Sequence, residues 1–296
     1  MNYKIIISVY VIAALLFFNS CQQSNSQNAQ DAQNLSVSKG SVNDSIVPSD
    51  NKNSDSKVNI DPNLSPKNRA RVEEIINKKY LMGQFNPAQD ARFSVIPVTY
   101  LVNNSQIIYM RTEAMEKYIE MYTAALKDGI SLKIMSATRP FDVQKAIWER
   151  KWQGKQQVNG YFIPDSIKGK ERALRILEWN SMPSTSRHHW GTDVDFNNVN
   201  PEYWAQPLGK KQYDWLVKHA HEYGFCQPYS AMGKDRPVGY QEEKWHWSYL
   251  PIARELVRKY KEEVNNNDIG GFMGSETAKE IGVVEIYVLG INPDCK

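Results

Sequence analysis

Ser184-Thr185-Ser186-Arg187-His188-His189-Trp190-Gly191-Thr192-Asp193-Val194-Asp195-Phe196 is the chemically densest stretch of the chain. It gathers two imidazoles and two carboxylates around one glycine, in a protein with five histidines in all. A solvated loop has no need of so many metal ligands. Further on, Glu243-Lys244-Trp245-His246-Trp247-Ser248-Tyr249 adds a carboxylate, and an imidazole flanked by two indoles. The two segments read as halves of one site. Imidazole nitrogen and carboxylate oxygen are the ligands of a hydrolytic zinc, which keeps three protein ligands and leaves a fourth position to water. His188, Asp195 and His246 supply the three. Glu243, three residues before His246, then stands beside the water as general base rather than ligand. Lone histidines are more often satisfied core or surface groups, and His219 and His221, in a polar helical stretch, are read that way. His188 and His246 differ, because each has a carboxylate at close spacing and aromatic neighbours.

Ser186-X-His188-X-X-Gly191-X-X-X-Asp195, followed by Glu243-X-Trp245-His246-X-X-Tyr249, resembles the signature of the VanY-type D-alanyl-D-alanine carboxypeptidases, within the LAS group of zinc peptidases. Upstream, Ser136-Ala137-Thr138-Arg139-Pro140-Phe141-Asp142-Val143-Gln144 resembles that family's remaining motif, an arginine followed five residues later by a glutamine. The resemblance runs from about Tyr80 to Tyr260. It implies a hedgehog/DD-peptidase-like fold, a peptidoglycan stem peptide ending in D-alanyl-D-alanine as substrate, and substrate contacts from Gln144 and Ser186. The family usually has a small residue two positions before the ligand aspartate, where this chain has Asp193. On a strand, residues 193 and 195 share a face. Asp193 therefore competes with Asp195 as ligand or orients a histidine N–H from behind the site, and the second role is preferred.

The 296-residue chain has an ordinary apolar fraction of 41%. Its net charge of +3 is too small and too interspersed to suggest nucleic acid as a partner. Residues 1–20 read as a signal peptide, with Lys4 before the apolar run Ile5 to Phe18, which is short of the roughly 20 residues of a membrane span. Ser20-Cys21 at its end resembles a bacterial lipoprotein processing site. Cys21 would then carry the lipid of an exported, membrane-anchored protein facing the periplasm or cell envelope. Residues 21–66, rich in Ser, Asn, Gln, Asp and Lys, cannot bury enough apolar surface to offset the entropy of ordering, and read as a disordered tether. Residues 67–296 are the catalytic domain. Whether Cys226 and Cys295 pair is left open by the sequence.

Within that domain the patterning predicts helices over Asn68–Tyr80, Glu113–Lys127, Asp142–Lys151, Glu171–Trp179, Lys210–Tyr223 and Pro251–Val264. Strands are predicted over Phe93–Leu101, Gln106–Met110, Ser131–Ser136, the ligand segment, Glu242–Tyr249 and Val283–Leu289, with Asn197–Gly209 a loop. Trp152–Lys168 reads as an insertion whose aromatics, Tyr161 and Phe162, pack inward with Trp179. The fold class is α+β: a small, mostly antiparallel sheet carrying the zinc site, surrounded by helices. On an ideal strand Glu243 and His246 point to opposite faces, so both can serve one metal only if Glu243 precedes the strand proper or sits at a bulge.

Three functions compete. The first is a zinc peptidase: Glu243 takes a proton from water and returns it to the leaving amine, and Arg139 stabilises the developing oxyanion. The second is an inactive wall-binding lipoprotein, against which stands the full set of ligands, base and arginine. The third, a structural zinc domain, would use a closed four-ligand site without a spare Glu243. Carboxypeptidase action is favoured over D,D- or L,D-endopeptidase action, which the sequence does not separate.

Overall fold

The computed structural model describes residues 77–296. The signal segment, Cys21, the tether and most of the helix expected over Asn68–Tyr80 lie outside them. Of that helix the described part is α1, Lys78–Leu81, capped by Asn77, whose side chain accepts the Tyr80 N–H. Tyr80 and Leu81 are buried.

A two-stranded antiparallel ribbon follows, β1 (Phe93–Val95) with β2 (Tyr109–Arg111), Phe93 opposite Arg111. It is shorter than expected. Pro97 has no N–H to give a ladder, and the chain turns there into a 3-10 helix, Val98–Tyr100. Then α2, Thr112–Lys127, buries Ala114, Met115, Tyr118, Met121 and Ala125 at helical spacing. Helical spacing in the sequence alone would put Met115, Tyr118, Ile119, Tyr122 and Leu126 on the inward stripe, but the buried face is rotated from it and Leu126 is exposed. Tyr118 joins the helix to β4, where it stacks on Phe196 at 5.8 Å between ring centres.

The central sheet has four antiparallel strands in the order β3 (Ile134–Ser136), β4 (Asp193–Phe196), β6 (His246–Tyr249), β5 (Phe225–Cys226). Every residue of β4 and β6 is buried. Between β3 and β4 lie α3 (Phe141–Trp152), the insertion, and α4 (Gly169–Leu177). The insertion is tied down by Arg172, which donates to the carbonyls of Trp152, Pro164 and Ile167 at 2.6, 2.9 and 2.7 Å. Its tip turns at Asn159 and Gly160, both at positive φ, and leaves Tyr161 and Phe162 exposed rather than packed. Trp179 does pack, against Trp245.

Two corrections follow β4. The expected loop 197–209 contains α5 (Pro201–Ala205) and the start of α6 (Pro207–His219), each opened by a proline at the helix start, where no N–H is needed. On α6 the inward residues are Gln212, Trp215 and Leu216, while Val217 is exposed. The helix after β6 is α7, Leu250–Glu263, and α8, Ala278–Ile281, comes later. The strand expected over Val283–Leu289 is instead a π-helical turn, Val284–Val288. Its β-branched composition suits a strand, yet Val284, Tyr287 and Val288 bury one helical face. Gly290 ends it where a Cβ would stand 2.0 Å from the Ile286 carbonyl oxygen.

Cys226 on β5 and Cys295 near the C-terminus form a disulfide, with Cα atoms 5.8 Å apart across a sequence separation of 69. Closing so long a loop restricts the unfolded chain, an effect of typically about 2–4 kcal/mol. Replacing both cysteines by alanine is therefore expected to lower the denaturant midpoint by an amount corresponding to roughly that loss. An unchanged midpoint would show that the bridge does not contribute to stability.

Candidate metal centre

The strand register builds the site. In β4–β6 pairing Asp195 lies opposite His246 and Asp193 opposite Ser248, all on one face. His188 arrives from a 3-10 turn, Arg187–Trp190, that ends at Gly191 with φ +75°. Gly191 is required there twice over: the conformation is left-handed, and a Cβ would meet the Phe93 ring at 2.3 Å.

One ligand atom each from His188, Asp195 and His246 lies within 4.8 Å of the others, and all three residues are buried. His188 Nε2 is 3.2 Å from Asp195 Oδ2, and His246 Nδ1 is 3.1 Å from Asp195 Oδ1. The outer nitrogens fix the inner ones. His188 Nδ1 donates to the Ala137 carbonyl at 2.8 Å and His246 Nε2 donates to Asp193 Oδ1 at 2.9 Å. In its neutral form each ring, protonated at that outer nitrogen, turns an unprotonated nitrogen inward. Asp195 Oδ1 is buried with no hydrogen-bond donor.

Glu243 answers the parity question. It precedes β6 in a turn closed by the His246 N–H on the Glu243 carbonyl, and its Oε2 reaches to 3.5 Å from His246 Nδ1. The turn is pinned by Glu243 N–H on the Tyr229 carbonyl and by Gln227 Nε2 on the Glu243 carbonyl. Burial pushes the Glu243 carboxyl up to about 8, against the opposing pull of His246. His246 behaves conversely: burial alone would depress it, but the hydrogen bond to Asp193 and the charge of the nearby Asp195 carboxylate carry it to about 9. Burial and the Arg139 charge lower His188. Asp193 and Asp195 are held well below the usual carboxylate range. Burial opposes this, but Arg187 beside Asp193, and the His188 and His246 imidazoles on either side of Asp195, overcome it.

The other residues expected at the site are arranged as follows. Arg139 lies between β3 and α3, its backbone joined to the motif by its N–H on the His188 carbonyl and its carbonyl under His189 Nδ1. Its side chain is half-buried, forms no ion pair among the described residues, and leaves Nε without a partner. Gln144 is fully buried; Nε2 donates to the Ser181 carbonyl at 2.7 Å and Oε1 is unpaired. Ser186 is buried with an unpaired Oγ. His189, next to His188, does not join the cluster: its nitrogens are taken by the Arg139 carbonyl and the Ser184 N–H, and burial lowers it to about 3. His219 pairs with Glu222 on α6's outer end, away from the cluster.

Three residues that the sequence reading passed over also reach the site from behind, Arg187, Thr192 and Ser248, each hydrogen-bonded to Asp193. Alternation on β6 already put Ser248 on the His246 face. Nothing in the sequence showed that Arg187 turns inward.

Residues 107–252 match the VanY family, described as D-alanyl-D-alanine carboxypeptidase. The chain is 25% identical over 213 residues to YodJ, a candidate carboxypeptidase of Bacillus subtilis (strain 168), covering 68% of this chain and 66% of that one. It is 27% identical over 192 residues to the D-alanyl-D-alanine carboxypeptidase of Enterococcus faecium, covering 63% of this chain and 54% of that one. The chain thus spans less than two thirds of the length of each of these curated relatives. Among solved structures, that of the LdcB LD-carboxypeptidase aligns with a TM-score of 0.44 at 23% identity, covering 62% of this chain and 81% of that one.

Proposed function

The chain carries a domain of the VanY family of D-alanyl-D-alanine carboxypeptidases across residues 107–252, and from that premise we propose that it is a zinc-dependent D-alanyl-D-alanine carboxypeptidase acting on bacterial cell-wall peptides. The observation that carries this reading is the buried convergence of His188, Asp195 and His246 with Glu243 beside them and an unpaired arginine at the entrance of the motif. Two imidazole nitrogens and one carboxylate are a donor set suited to a catalytic zinc, and the orphaned Asp195 Oδ1 is an oxygen in need of a cation. His188 would bind through Nε2, His246 through Nδ1, and Asp195 through its carboxylate. A zinc so held lowers the pKa of water to near neutrality and polarises a carbonyl.

The residues of the chain do the rest. Glu243, which forms no ion pair with an arginine or lysine among the described residues, accepts the proton that the attacking water gives up and delivers it to the leaving amine nitrogen as the C–N bond breaks. Arg139 donates to the carbonyl oxygen as it gains charge, an effect of about 3–4 kcal/mol for a well-placed donor. The products are a shortened peptide carboxylate and a free amino acid. Gln144 Oε1 and Ser186 Oγ, both buried and unpaired, are left to hold the substrate. Asp193 orients His246.

The assay uses muropeptides ending in D-Ala-D-Ala and cross-linked dimers, read by mass. Free D-alanine from monomers is the expected product; conversion of dimers to monomers would mean an endopeptidase. Glu243→Ala should keep zinc and fold yet lose about 10²–10⁴-fold in rate, and Arg139→Ala should lose rate and raise the Michaelis constant for carboxylate-terminated peptides. A zinc-loaded wild type that cuts none of these bonds, nor the L,D-bonds of the stem, would leave a wall-binding protein instead.

The address follows the sequence: an exported lipoprotein anchored by acylated Cys21, with residues 21–66 as tether and 67–296 as the catalytic domain. Mass spectrometry of the mature protein should find an acylated N-terminus at Cys21. An unmodified start elsewhere would rule out the anchor.

A further inference from the structure

Behind the metal centre lies a ring of polar side chains with no access to water. Asp193 and Arg187 are both fully buried. Asp193 Oδ1 accepts from Arg187 Nε and from His246 Nε2, each at 2.9 Å. Its Oδ2 accepts from Thr192 Oγ1 at 2.7 Å and Ser248 Oγ at 3.0 Å. The second tooth of the guanidinium fork, Nη2, donates to that same Ser248 Oγ at 2.6 Å, which closes a ring of Arg187, Asp193 and Ser248. The guanidinium also lies over the Trp190 ring, 4.8 Å from its centroid.

We infer that Arg187 is a positioning residue for the metal centre, acting through Asp193 on His246; the inference rests on the metal role proposed above. A carboxylate held by the imidazole alone could swing about its own side-chain torsion. Here both oxygens are gripped, by donors from β6, from the turn before β4 and from Thr192 just ahead of the strand, so the carboxylate plane is fixed. The His246 N–H that it receives fixes the ring, and with it the direction of Nδ1. Arg187 and His188 share one 3-10 turn, so that turn supplies one ligand and orients another on a different strand. The two opposite charges also cancel. The site thereby gains an orienting carboxylate without further net negative charge beside Asp195 and Glu243.

A merely structural ion pair behaves differently, because replacing both partners of a buried pair by apolar groups is often neutral or stabilising. The discriminating protein is therefore Arg187→Met/Asp193→Leu, compared with wild type and Arg187→Lys by thermal unfolding, zinc affinity in chelator competition, and the His246 imidazole N–H in ¹⁵N-resolved NMR. The double variant is expected to bind zinc roughly 10–100-fold more weakly than wild type and to lose the protected Nε2–H signal. Arg187→Lys keeps the charge but not the fork. It should fold and show a smaller loss of zinc affinity, and it carries the test should the double variant not fold. Wild-type zinc affinity with an unchanged His246 signal, in the double variant if it folds and otherwise in Arg187→Lys, overturns the inference while leaving the metal centre intact. A wild type that takes up no zinc overturns the metal reading itself, and this one with it.

Discussion

The antiparallel pairing of β4 with β6 is the constraint on which the site depends. It sets Asp195 across from His246 and Asp193 across from Ser248. Side chains so placed on one face are about 4.5–5.5 Å apart at Cβ, so short side chains meet without loops having to be ordered around them. A slip of one residue would turn each strand's polar set to the opposite face. Two features guard against that slip. Val194 and Trp247 occupy the other face and are buried, and the ladder is extended at its ends by Phe196 N–H on the Trp245 carbonyl and Tyr249 N–H on the Thr192 carbonyl.

The cost of this arrangement is the burial of titratable groups, which is tolerable only when they are paired and hydrogen-bonded. Arg187, Asp193, Thr192, Ser248 and His246 satisfy one another almost completely, and His188 is satisfied through Ala137. Some buried atoms remain unpaired, among them Asp195 Oδ1, Ser186 Oγ, Gln144 Oε1 and Arg139 Nε, and in the rear ring Arg187 Nη1. A field strong enough to draw the His246 imidazole up to about 9 is one that favours a cation at the same point.

Much of this was legible in the chain because metal ligands and strand alternation leave local marks. His188, Asp195, His246 and Glu243 stood out by residue type and spacing, and the parity of a strand required Glu243 to precede β6, as it does. Period-two alternation put Asp193 on the Asp195 face, and of the two roles that left open, its contact with His246 Nε2 is the orienting one. What the chain hid was set by tertiary context. Val284 to Val288 reads as a strand by composition but lies in a π-helical turn between Gly282 and Gly290. The inward face of α2 was set by its tertiary neighbours, and the pairing of Cys226 with Cys295 by the position of the C-terminus beside β5. Tyr161 and Phe162 were expected to pack, yet a turn with two successive positive φ values carries them outward.

The most direct test is anomalous diffraction above and below the zinc edge on crystals of the zinc-loaded protein. The account predicts one strong peak bounded by His188 Nε2, His246 Nδ1 and an Asp195 oxygen, at about 2.0–2.2 Å from each, with Asp193 outside coordination distance. A peak coordinated by Asp193 instead of Asp195, or no peak between the two histidines, would contradict it.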